Sequence, residues 1–174
     1  MSIPIVSVVG NSSAGKTTFL EKLIRELKRR GYRVAAVKHD THSFEMDQPG
    51  KDTYRLAEAG SDVVMISSPR KLALLEKVDE ERSLDDLAAM VSDRVDVILT
   101  EGYRRAAKAK IEVSRRESGS ELVAPPQNLL ALVTDQQFKL DVPHFGLDDA
   151  SSVADLLERH FGLAPARAGT ATTA

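Results

Sequence analysis

The chain of 174 residues has no cysteine and no tryptophan. Without thiols, disulfides, thiolate metal centres and a cysteine nucleophile are excluded. Aromatic residues make up only 5%, so platforms for stacking single-stranded bases are scarce. Neither sign of charge dominates, and the net charge is −2. A nucleic-acid-binding domain needs a basic face, and here only Arg104, Arg105, Lys108 and Lys110 form a local cluster. No apolar run approaches the roughly 20 residues of a membrane helix. The N-terminus, "MSIPIVSVVG", lacks the basic n-region of a signal peptide. These absences predict a cytoplasmic protein that binds neither membrane nor nucleic acid. What remains is ordinary globular composition, 42% apolar and 29% charged, at a length that suits one domain.

Apolar runs and helical stripes alternate along most of the chain. Residues 3–9, with Ile3, Ile5, Val6, Val8 and Val9, predict a buried strand. Phe19, Leu20, Leu23, Ile24 and Leu27 fall on one stripe of a helix over 16–30, closed by Gly31. Further strands are expected at 32–38, 62–68, 71–78, 95–100, 110–115 and 129–134, and further helices at 51–60, 83–93 and 151–161. Ser83 suits an N-cap. Residues 39–50 and 116–128 carry the turn residues of loops, and the small polar residues 164–174 predict a disordered tail. The alternation implies an α/β domain over 1–163, with a mostly parallel twisted sheet and helices on both faces. Strands 62–68 and 71–78 would form an edge ribbon, open to pairing between subunits or covered within one chain.

The stretch "GNSSAGKTT" satisfies the phosphate-loop pattern in full, from Gly10 to Gly15, Lys16 and Thr17. A buried strand precedes it and an amphipathic helix follows, as that motif requires. Glycine lets the backbone approach phosphate closely, and the helix start adds its positive end. Gly10, Asn11, Ser12, Ser13, Ala14, Gly15, Lys16, Thr17 and Thr18 are therefore the candidate phosphate site. Lys16 supplies a cation to the β- and γ-phosphates, and the Thr17 hydroxyl suits Mg²⁺.

Two carboxylates are candidates for the metal. "VDVILT" delivers Glu101 to the C-terminal edge of its strand, where ligands bind in open parallel sheets. Asp96 lies too early in that strand. Asp40 follows the strand ending "VKHD" and is a second acidic candidate. The histidines of "HDTH" lack a third strong ligand at diagnostic spacing. Contact with an anionic substrate, or plain loop surface, is the better reading there. His144 and His160 have no local partner pattern and read as structural or surface residues.

The order of "GNSSAGKTT", "VKHDTHSFEMDQPGKDTYRLAEAG", "VILTEGY" and "KIEVSR" closely resembles the MobB family, the molybdopterin-guanine dinucleotide biosynthesis proteins B, over residues 3–161. The resemblance implies a P-loop NTPase fold that binds GTP with Mg²⁺, usually as a homodimer. It also implies an adaptor role, with weak GTP hydrolysis, in attaching GMP to the molybdenum cofactor. The partner MobA carries out that attachment. By residue, it places Asp40 and Glu101 near Mg²⁺. Lys38, His39, His42, Asp47, Gly50, Lys51, Asp52 and Arg55 would form a loop facing substrate or partner, and whether molybdopterin binds directly stays open. Two departures matter. Several members of the broader P-loop class carry a lysine where this chain has Asn11, so rapid lysine-assisted hydrolysis is not expected. The Asn-Lys-x-Asp guanine reader is also absent. Asp135, at the end of "LVTD", is a candidate acceptor for the base, with an acidic turn residue as the equal alternative. A small-molecule kinase, or an ATP-dependent ligase of the dethiobiotin synthetase type, is the alternative function.

Overall fold

The computed structural model describes residues 3–40 and 44–164. Expectations for His42 and for the tail beyond Ala164 lie outside the described residues. In chain order the elements are β1 (Ile5–Val9), α1 (Lys16–Arg29), β2 (Val34–Lys38), α2 (Asp52–Glu58), β3 (Val63–Ser68), β4 (Lys71–Glu76), α3 (Leu84–Ala89), β5 (Val97–Glu101), β6 (Ala109–Ser114), β7 (Leu129–Thr134), β8 (His144–Phe145) and α4 (Ala150–Phe161). They fall into two compact units: residues up to His39 together with those from Leu84 onward, and Asp40–Ser83.

A strand covered on both faces needs apolar residues at nearly every position. Every residue of β1 is buried, and its one polar side chain, Ser7, is bonded to the Thr100 hydroxyl at 3.0 Å. β1 is accordingly central. The first unit's sheet has the order β2-β5-β1-β6-β7-β8, and every pairing is parallel. Val6, Val8, Ile111, Val113 and Val133 meet Phe19, Leu23 and Leu27 of α1 and Val153 and Leu157 of α4 in one core layer. Ile5 and Ile98 point the other way, against Leu84 and Ala88 of α3. Helices thus cover both faces, as the sequence predicts.

Because all six strands run the same way, their C-terminal ends share one edge. Register aligns Lys38 and Val8 with Glu101, and Val9 with Glu112. The sheet therefore fixes which loops meet above it.

The second unit contains α2 and the antiparallel β3–β4 ribbon, registered from Val63↔Glu76 to Ser68↔Lys71. Ser68 closes the turn, its hydroxyl accepting from the Lys71 amide at 3.1 Å. One ribbon face carries Val63, Met65, Leu72 and Leu74, all exposed.

The structure differs from the sequence reading at a few boundaries. β8 and two short 3-10 turns, Arg116–Ser118 and Pro126–Asn128, were not expected. β8 has two residues, too few to show any period, and it pairs with β7 by register alone. α3 stops at Ala89 rather than residue 93, and turns follow. Among the described residues no helix is long and apolar enough to cross a membrane.

Candidate functional site

β1 ends at Val9 and the chain turns at once through Gly10, at φ 147°. A Cβ on Gly10 would sit 2.2 Å from the Val113 carbonyl oxygen of β6, so only glycine lets the loop pass that strand. Ser13 and Gly15 also have positive φ, 60° and 92°. The Ala14 amide donates to the Asn11 carbonyl at 3.3 Å, which folds the loop back on itself. α1 then begins at Lys16. Gly15 offers it no side-chain cap, and its first turn holds no acidic residue. The first amides of a helix have no intrahelical acceptor. Here no capping side chain meets them and no acidic residue opposes the helix dipole, an arrangement that could accept an anion.

The Lys16 ammonium bridges the loop by donating to the Asn11 carbonyl at 2.8 Å. Desolvation by burial holds its pKa below the usual lysine value. Glu101 opposes that shift, while Arg104 and Lys38 add to it. Lys16 is thus a partly desolvated cation with two further cations beside it, partly offset by Glu101, a setting that a polyphosphate would relieve. Arg104 reinforces it, with a guanidinium nitrogen 2.9 Å from the Gly10 carbonyl oxygen.

The Thr17 hydroxyl donates to Glu101 Oε2 at 2.7 Å. Two hard oxygen donors thus converge beside the phosphate loop. This donor set suits Mg²⁺, which keeps several waters and takes one or two protein oxygens plus phosphate. Glu101 is held from several directions: its carbonyl accepts from the His39 amide at 2.9 Å, and the next amide, Gly102, donates to the Val8 carbonyl at 3.0 Å. Gly102 has φ 97°, and a Cβ there would lie 3.2 Å from the His39 side chain. The His39 ring packs on Tyr103 with centroids 4.5 Å apart. Asp96 is excluded from this edge. It precedes β5 and pairs with the Arg33 guanidinium at 2.7 Å.

The remaining candidates are distributed as follows. Lys38 ends β2 opposite Glu101. Asp40 opens the second unit, which also carries Asp47, Gly50, Lys51, Asp52 and Arg55. Asp47 Oδ1 accepts from the Gln48 amide at 2.8 Å, while Oδ2 is buried without a partner. Gly50 takes φ 84°, Lys51 starts α2, and Arg55 and Asp52 are exposed and 3.8 Å apart. Asp135 follows β7, and its Oδ1 accepts from the Arg116 amide at 2.8 Å. The Asn11 side chain donates to the Glu121 carbonyl at 3.0 Å. Among the described residues no three His, Asp or Glu side chains gather into a metal cluster.

β6 holds what the sequence reading missed. Ile111 and Val113 face the core, while Lys110 and Glu112 are fully buried. Glu112 accepts from the Val123 and Ala124 amides at 2.7 and 2.8 Å, and so binds the segment that touches Asn11. Lys110 donates to the Ala106 and Lys108 carbonyls and holds the loop after Glu101. Burial lowers the Lys110 pKa. The signal for both was in the sequence: two charges inside a strand-forming run.

The MobB family profile, described as molybdopterin guanine dinucleotide synthesis protein B, matches residues 5–135. Proteins of Haemophilus influenzae and Escherichia coli, each called molybdopterin-guanine dinucleotide biosynthesis adapter protein, are similar to this chain. The first is 34% identical, with 90% of this chain and 88% of the relative aligned. The second is 35% identical, with 89% and 91% aligned. The crystal structure of Bacillus subtilis MobB superposes with a TM-score of 0.74 at 28% identity, covering 90% of this chain and 98% of that one.

Proposed function

Because this chain belongs to the MobB family, we propose that it is a GTP-binding adaptor in molybdenum cofactor biosynthesis. It assists the conversion of molybdopterin to molybdopterin guanine dinucleotide in the cytoplasm, beside a MobA-type guanylyltransferase. The observation that carries the nucleotide reading is the Thr17–Glu101 contact of 2.7 Å beside Lys16 on an uncapped helix start. Residues Gly10–Thr18 hold the phosphates through backbone amides. Lys16 exchanges its contact with the Asn11 carbonyl for phosphate oxygen. Thr17 and Glu101 hold Mg²⁺, with Asp40 as the second acidic candidate, and the metal supplies positive charge to the phosphate chain. Asp135 keeps Oδ2 for a base donor.

Slow hydrolysis is the expected behaviour. Asn11 contributes a neutral amide, already donating to Glu121, where rapid hydrolysis of this class uses a cation. The residues Lys38, His39, His42, Asp47, Gly50, Lys51, Asp52 and Arg55 are assigned to substrate or partner contact. The chain works as a homodimer through the exposed face of the β3–β4 ribbon.

The test is titration of purified protein with GTP and ATP, with and without Mg²⁺, followed by turnover assays. Strong GTP preference, slow phosphate release and loss of binding in Lys16→Ala are expected. Glu101→Gln should weaken the Mg²⁺ dependence. ATP preference with rapid consumption in the presence of a small acid would overturn the adaptor reading in favour of a kinase or ligase.

A further inference from the structure

Arg115 emerges directly after Ser114, the last residue of β6, on the same sheet edge as the phosphate loop. Its guanidinium lies against that loop. Nη2 and Cζ are 3.6 and 3.8 Å from the point a Cβ on Gly15 would occupy. The backbone of Arg115 is fixed by Ser118, whose hydroxyl donates to the Arg115 carbonyl at 2.8 Å and accepts from its amide at 3.4 Å. Yet no guanidinium N–H donates to any described residue, and Nε is shut off from solvent without a partner. An arginine offers five donors in a rigid fork, and a buried donor left unpaired is costly. The carboxylate that feels its charge, Asp148, is already bonded to Lys22. A half-buried, positioned and unpaired guanidinium therefore lies beside an anion site.

We propose that Arg115 is a nucleotide ligand whose fork takes the α-phosphate. The inference rests on the phosphate-loop reading above. Thr17 and Glu101 mark the metal, and hence the β- and γ-phosphates, on the β5 side of β1. Arg115 stands on the β6 side, toward β7 and Asp135. The polyphosphate chain running between them brings its α-phosphate to the guanidinium. Planar bidentate donors match phosphate oxygens, which an ammonium would meet only as a point charge.

The test is the binding of GDP and GTP to the full chain, parent and variants, with melting temperatures recorded beside affinity. Arg115→Ala should weaken both nucleotides by a similar factor, about 10- to 100-fold. Arg115→Lys should recover part of that loss, and it replaces the alanine variant if the latter does not fold. An unchanged affinity for both nucleotides overturns the proposal, even if the melting temperature falls, since the role would then be structural. A loss confined to GTP overturns it too, because the contact would be with the γ-phosphate. Lys16→Ala runs in parallel. If Lys16→Ala loses binding and Arg115→Ala does not, the Arg115 inference fails alone. If neither variant changes affinity, the phosphate-loop reading fails with it.

Discussion

At the scale of single residues, the site depends on what is small as much as on what is charged. Gly10 lets β1 turn across β6 with no room to spare, since its missing Cβ would fall 2.2 Å from Val113 O. Gly10→Ala combines that clash with a φ that L-residues rarely adopt. We expect a loss of at least about 2 kcal/mol in denaturant unfolding; an unchanged midpoint would mean the loop takes another path. Gly15 contrasts with it, because a Cβ there would make only ordinary contact with Arg115. The sequence motif marks both glycines alike. The backbone separates one that admits the neighbouring strand from one that borders a guanidinium.

Among the elements, α1 is fixed at both ends by different chemistry. Its N-terminus has no side-chain cap and no acidic residue in its first turn. Its C-terminus is bound to α4 by Arg30, which donates to Glu26, Asp155, Glu158 and the Ser151 carbonyl at 2.6 to 2.9 Å. The Tyr32 hydroxyl adds a contact with Glu158 at 3.0 Å, and burial with that carboxylate pushes its pKa to about 12. Hydrogen bonds from Arg29, then Arg30, hold the Glu26 carboxyl at about 2, below its ordinary 4.5. A carboxylate depressed on folding contributes stability above its unfolded pKa and loses it as pH falls through the folded one. The Glu26 contribution is therefore full above 4.5 and is lost toward about 2. Glu26→Gln should show a smaller drop in unfolding midpoint than the parent over that interval. Equal acid sensitivity in the two proteins would refute this role. Helix periodicity predicted α1 and α4 separately. It carried no information that the two helices share one ion-pair network, because the α4 partners of Arg30 lie more than 120 residues away.

For the whole molecule, the question is what covers the ribbon. Val64 is its buried residue, on the opposite face from Met65 and Leu74, which pair directly across the strands. Met65 is 64% exposed and Leu72 62%. An apolar strand pair left open to water favours association with another chain. Met65→Glu with Leu74→Glu should convert a homodimer to a monomer, read by sedimentation or light scattering, with circular dichroism showing that the fold persists. A parent protein that is itself monomeric at micromolar concentration, or a variant that remains dimeric, would remove the ribbon from the assembly.

The phosphate loop, the parallel sheet and the family were readable in the amino-acid sequence. Each rests on local order: glycine and lysine spacing, β-branched runs, and helical stripes of 3.6-residue period. The position of Glu101 was readable too, because a carboxylate that ends an apolar strand emerges at the C-terminal edge of the sheet. The tertiary structure decided which strands are neighbours. Only with β5 and β6 flanking β1 do Glu101 and Arg115 reach the same loop from opposite sides, 84 residues from Thr17 in one case. It also decided that Lys110 and Glu112 are internal fasteners rather than surface charges: Lys110 is buried against the carbonyls of the turn that leads into β6, and Glu112 against amides of the loop that follows it. Local pattern encodes the elements and the motif. Strand order, set by burying both faces of one sheet, determines which side chains flank that motif.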